Sequence, residues 1–152
     1  MGTPEARMFA DAMVDKLERI VACSDGRSTE EINALPPVPE TNSLHILAIH
    51  TMGNVNEAVF EVLGGTPVNR DRDAEFAVTG SSAEEIRAKW DELRPRLYSA
   101  IENMSDAEMA AEYDGHRRGR MTGRQILLYT ANHASEHVGH AELTRDWIDS
   151  TR

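Results

Sequence analysis

Apolar residues recur every three to four positions along four long blocks of this chain, and that period commits most of the backbone to helices. In the first block, from about 4 to 24, Phe9, Met13, Leu17, Ile20 and Val21 make one stripe. Pro4 suits the opening turn and Ser24-Asp25-Gly26 ends it. The second block, 43 to 63, aligns Leu44, Leu47, Ala48, Thr51, Val55, Ala58, Val59 and Val62, and Gly64-Gly65 stops it. The third opens on the capping pair Ser82 and Glu85 and runs to about 103, with Pro95 expected to kink or break it. The fourth opens on Thr122 with Gln125 and runs to about 149, stacking Leu127, Ala131, Ala134, Val138, Ala141 and Ile148 on one face.

The segments between are short, with one exception. Ser28 and Glu31 cap a brief turn reaching Leu35, after which Pro36, Pro37 and Pro39 make 36–41 a rigid connector. Ser105 opens another turn, and 112–120 reads as a polar loop or a short extended piece. The stretch TPVNRDRDAEFAVTG, 66–80, reads as an irregular crossover. The expected architecture is therefore all-α: a four-helix bundle in a single domain over 1–152, with a long crossover between helices 2 and 3.

Charge narrows the function classes. Lys and Arg number 16 against 26 Asp and Glu, a net charge of −10, which argues against nucleic acid as a partner. No apolar run is long enough to span a membrane, and the opening residues carry charge where a leader peptide needs an apolar stretch. The single cysteine, Cys23, has no intrachain partner, and a reducing, cytoplasmic setting is expected. It lacks an obvious cationic neighbour and reads as a structural thiol.

Chemistry concentrates in the histidines. His133 and His137 stand four apart on the fourth helix and project from one face, as a shared metal ion requires. His50 flanks the apolar stripe of helix 2 at a comparable angle, so two neighbouring helices would aim all three into one side cavity. Three imidazoles leave an open coordination position, the catalytic arrangement. From spacing alone the competing reading stays open: three solvated or half-buried histidines on helix flanks.

Three segments carry a family resemblance. N-H-A-S-E-H-V-G-H-A-E-L, 132–143, resembles the last-helix signature of the DinB-like superfamily, H-x-x-x-H followed by Gly and then Gln or His, here His133, His137, Gly139 and His140. S-L-H-I-L-A-I-H-T-M-G-N-V, 43–55, resembles that family's second helix, its histidine matching His50. The G-G-x-P-V-x-R-D-R-D-A-E-F stretch, 64–76, looks like the region that follows in actinobacterial members. The resemblance implies a bundle, often a homodimer, holding zinc or nickel on His50, His133 and His137. Mycothiol-dependent maleylpyruvate isomerase belongs to the same superfamily, as do other low-molecular-weight-thiol transferases. In the isomerase branch the position of His133 is Glu, so the resemblance carries a metal site here rather than that particular reaction.

Several residues are candidates around such a centre. Glu57 and Asn54 share the flank of His50 and can orient a ligand or, for Glu57, act as a catalytic base. His140 follows His137 by three positions, and Tyr129 precedes His133 by one turn, which places both at the pocket. Arg117, Arg118, Arg120 and Arg124, with His116, form the one basic island, suited to the anionic end of a cofactor such as mycothiol or a similar thiol. Ile49 and Phe60 lie opposite the main stripe of helix 2, where either a homodimer contact or the crossover would cover them. The leading reading is a metal-dependent enzyme, a thiol transferase or hydrolase-like, in which an activated thiol or water attacks a small-molecule electrophile. The alternatives are a non-catalytic metal- or small-molecule-binding bundle connected with stress, and a purely structural bundle.

Overall fold

Side-chain caps set where the helices of this computed structural model, which describes residues 2–152, begin. The Thr3 hydroxyl accepts from the Ala6 N–H and opens α1 (Pro4–Ala22). Ser28 with Glu31 and Ser105 with Glu108 form reciprocal boxes at the short helices α2 (Thr29–Asn33) and α6 (Asp106–Ala110). Ser43 caps α3 (Leu44–Asn56), Ser82 caps α5 (Ala83–Glu102), and Thr122 with Gln125 opens α7 (Gly123–Ser150). The long helices α1, α3, α5 and α7 pack around one core, with α1 against α5 and α7, and α3 against α7. Met13, Leu17, Ile20, Leu47, Trp90, Leu97, Ile101 and Leu127 are fully shielded from water there. The Trp90 indole N–H leaves the core polar-satisfied by donating to Glu18 Oε2 at 2.6 Å.

Local expectations change at Pro95 and over 57–63. The helix does not break at Pro95; it runs unbroken from Ala83 to Glu102. The carbonyl one turn earlier, of Asp91, loses its donor, but this side of the helix, with Asp91, Arg94, Pro95 and Arg96, is exposed. Residues 112–120 are bounded by two short paired strands, β1 (Glu112–Tyr113) and β2 (Met121–Thr122), antiparallel with Tyr113 opposite Met121. Helix α3 continues as a π-helical segment, Glu57–Leu63, with i→i+5 bonding. The wider turn rotates Val62 off the buried face, so it is half-buried where a regular helix would bury it. Gly65, at φ +68, then turns the chain away.

The crossover is not irregular throughout. Asp71 Oδ1 accepts from the Ala74 N–H and starts a helix, α4 (Arg72–Ala77). This helix packs on α3. Gly53 of α3 permits the approach, because a Cβ there would run into the Glu75 carboxylate. Ile49 and Phe60 are half-buried against the core, and the Arg96 guanidinium lies 5.0 Å from the Phe60 ring. Among the described residues no helix is long and apolar enough to cross a membrane.

Candidate metal centre

Helix α3 supplies His50, and α7 supplies His133 and His137 from successive turns. Their Nε2 atoms converge. His133 Nε2 lies 3.4 Å from His50 Nε2 and 3.2 Å from His137 Nε2. Bonds of about 2.0–2.1 Å to a tetrahedral ion require ligand nitrogens roughly 3.3–3.4 Å apart, so this spacing fits one shared divalent ion. The protonation chemistry fits as well. Burial, helped by the other histidines, lowers the His133 pKa to about 3 and the His137 pKa to about 4. Neutral imidazoles are the ligand form.

The outer nitrogens fix how the rings point. His50 Nδ1 is 3.0 Å from Glu75 Oε2, which assigns its proton to Nδ1 and turns the Nε2 lone pair towards the other histidines. Burial lowers the His50 pKa against the opposing pull of Glu75. His137 Nδ1 lies 3.3 Å from His140 Nδ1. His133 Nδ1 is buried without a partner. The Phe76 ring packs against His50 with centroids 4.8 Å apart, and His50 is only 3% exposed. The crossover therefore buries a histidine that helix geometry alone leaves on a flank.

Glu75 is itself clamped. Arg70 Nε donates to its Oε1 at 2.7 Å and Arg70 Nη2 to its Oε2 at 2.8 Å, a two-pronged contact. Arg70 Nη1 reaches Glu57 Oε2 at 2.8 Å. The Arg70 side chain is 5% exposed; burial opposes its charge, but hydrogen bonds to Glu75 and Glu57 outweigh it and raise its pKa. Arg70, Glu75 and Phe76 are absent from the sequence-based set. The signal that would have found them is an Asp N-cap ahead of R-D-A-E-F, a helix start hidden in a charged stretch.

The remaining candidates scatter. Glu57 faces Arg70 rather than the histidines. Asn54 is buried, its Oδ1 unpartnered. His140 stands behind His137, and Tyr129 lies between the His116 ring (5.4 Å) and the Arg118 guanidinium (4.3 Å). The basic island divides: Arg124 grips Glu5 with two hydrogen bonds, Arg120 pairs with Glu112 at 3.1 Å, and Arg117 faces a cavity with Asn54 and Glu57. Cys23 is buried, its thiol 3.3 Å from the Arg19 carbonyl, and burial pushes its pKa up, as a structural thiol requires.

Two cavities adjoin these residues. An apolar one of about 450 Å³ is lined by Pro36, Leu47, His137, His140, Leu143 and Trp147, among others. A smaller polar one of about 190 Å³ lies by Asn54 and Arg117.

Comparison with known proteins gives the family and the fold. The sequence profile of the DinB superfamily matches residues 12–141. A crystal structure of a conserved protein from Enterococcus faecalis superposes with a TM-score of 0.77 at 15% identity, covering 99% of each chain. No curated protein matches the sequence significantly.

Proposed function

The chain belongs to the DinB superfamily, and from that premise we propose that it is a divalent-metal-dependent enzyme acting on a small electrophile with a low-molecular-weight thiol or water. The observation that carries this reading is the convergence of three Nε2 atoms, of His50, His133 and His137, within reach of one ion. Zinc and nickel suit three neutral imidazoles. When bound, such an ion supplies Lewis acidity and an open position, which lower the pKa of a thiol or water. The chain's own residues do the rest. Glu75 holds the His50 ring and His140 the His137 ring. Glu57 engages Arg70 through one oxygen and so helps hold the guanidinium that clamps Glu75. The apolar cavity beside His137 receives the electrophile and keeps bulk water away. We place the protein in the cytoplasm as a homodimer, with mycothiol or a related thiol as the co-substrate.

Plasma mass spectrometry of tag-free protein tests the reading. About one divalent ion per chain is expected, lost in His50→Ala and His137→Ala while the helical circular dichroism persists. No ion in the wild type after incubation with zinc or nickel would overturn it. A metal-loaded protein whose cobalt-substituted form shows no spectral change with any thiol would instead favour the non-catalytic binding bundle.

A further inference from the structure

The connector between α2 and α3 is stiff and turns its polar backbone inward. Pro36, Pro37 and Pro39 restrict its dihedrals. The Thr41 hydroxyl donates between the Pro36 and Val38 carbonyls, at 3.0 and 2.8 Å, and the Val38 N–H donates to the Pro36 carbonyl as well. With those carbonyls occupied, Pro36, Pro37 and Val38 make one wall of the apolar cavity of about 450 Å³. Leu47 of α3 and Leu143 and Trp147 of α7 make the other. Leu47 is fully buried at the base, whereas Val38 and Leu143 are exposed at 59% and 71%. Two large aliphatic side chains are thus held in water at the rim of a concave apolar surface, where a ligand would cover them.

Charge is distributed unevenly about the histidines. Leu47 precedes His50 by one turn of α3 and Asn54 follows it by one, so the apolar and polar cavities lie on opposite sides of the three histidines along that helix. Arg70, Arg72 and Arg117 all line the polar one. Among the described residues no lysine or arginine lines the apolar one; its ionisable residues are Glu40, His137 and His140. Glu40 stands at φ +62, a conformation that glycine would hold more easily, so the turn carries a negative charge where an uncharged residue is the simpler choice. A carboxylate entering here would lose water, meet no cation and face Glu40. His137 joins the cavity to the centre: it lines the cavity while its Nε2 meets His133 Nε2 at 3.2 Å.

We propose that the electrophile is an uncharged molecule with an aryl-sized apolar group, which lies between the proline wall and Leu143 and Trp147, and that Glu40 at the turn rejects its anionic analogues. The apolar group is held by shape and burial, and the remainder of the molecule points past His137 to the three histidines. This rests on the reading of the cavity as the seat of the electrophile, but not on the identity of any ion.

The test is a pair of probes of one shape, 2-naphthamide and 2-naphthoate, titrated by amide-resolved NMR into metal-free and zinc-treated protein. The neutral probe should bind roughly tenfold tighter than the anion in both forms and move the signals of 36–42 and 137–147. Leu143 is exposed, so Leu143→Ala leaves the bundle intact and should weaken the neutral probe roughly threefold. Leu128→Ala, an exposed leucine of α7 outside the cavity, should not. Glu40→Gln should narrow the gap between the probes roughly two- to threefold. Equal or tighter binding of the naphthoate overturns the proposal, as does equal loss in Leu128→Ala or a footprint outside those two segments. So does a shift of the 36–42 signals on simple dilution without probe, because the face is then a contact between copies of the chain. If zinc does not load yet the neutral preference survives, the metal reading fails and the apolar site stands. If zinc loads and neither probe prefers the cavity, the reverse holds.

Discussion

His45 and His50 sit five residues apart on the same helix and are almost equally buried, at 4% and 3% exposure, yet their surroundings share nothing. Neither ring nitrogen of His45 has a hydrogen-bond partner, and its ring lies so close to Gly80 that a Cβ there would strike it. His50 has a carboxylate on Nδ1 and two further imidazoles facing Nε2. Burial lowers both pKa values, so the shift itself does not separate them. What separates a packed histidine from a ligand is where its two ring nitrogens point: without partners beside a glycine in one case, among matched nitrogens and a clamped carboxylate in the other.

Breaking the convergence should have the largest effect. His133→Ala removes the nitrogen shared by both contacts, and zinc affinity should fall on the order of a hundred- to a thousandfold by chelator competition. Retained affinity would make His133 a bystander like His45. Glu75→Gln sharpens the contrast from the outside. It keeps the size but loses the charged partner of Arg70, and zinc affinity should fall about 10- to 100-fold with the three ligands intact.

Acid comes next. His133 and His137 have folded pKa values near 3 and 4, below the unfolded value of about 6.5, so the unfolded chain takes up protons first. Metal-free protein should therefore lose stability as pH falls from about 6.5 towards 4, by roughly 5–10 °C in melting temperature per unit for the two groups together. The zinc-treated protein should be steadier until the ligands protonate. A flat melting profile for the metal-free form would contradict the buried, neutral triad. The smallest effect belongs to His45→Phe, which fills the same space with no nitrogen to satisfy. Metal content should be unchanged and stability should move by no more than about 1 kcal/mol. Loss of metal in that variant would erase the distinction.

Much of this was legible before any coordinates. The helical period found the four long helices, and the capping pairs at Ser82 and Thr122 located the starts of α5 and α7, as Ser28 did for the short α2, because both signals are local. The spacing of His133 and His137 is local too, and helix geometry converts it directly into proximity. Bringing His50 to them needed a pairing of α3 with α7 that periodicity allows but does not specify. Arg70 and Glu75 were not legible, because α4 is only six residues long, half of them charged, and the contact that Glu75 and the preceding Arg70 make is long-range. The basic island misled for a related reason. Sequence adjacency grouped Arg117 with Arg120 and Arg124, while Glu5, Glu112 and Asp114, some far away in the chain, divided them.

The π segment makes the chain sensitive to length in one place. Glu57–Leu63 accommodates its residues in wider turns, and from it Glu57 reaches Arg70 while Glu61 accepts from the Val68 N–H at 2.9 Å. Deleting one residue there would let the segment relax to ordinary helix, and the chain downstream would leave at nearly the same angle, because the wider turns turn less per residue. Gain of a residue has no such relief. It would turn everything downstream by about 100° round the helix axis, so that Arg70 and Glu75 emerged on the wrong side of α3 and His50 lost its holder although every histidine was still present. Near 57–63 the chain thus tolerates loss of a single codon better than gain of one.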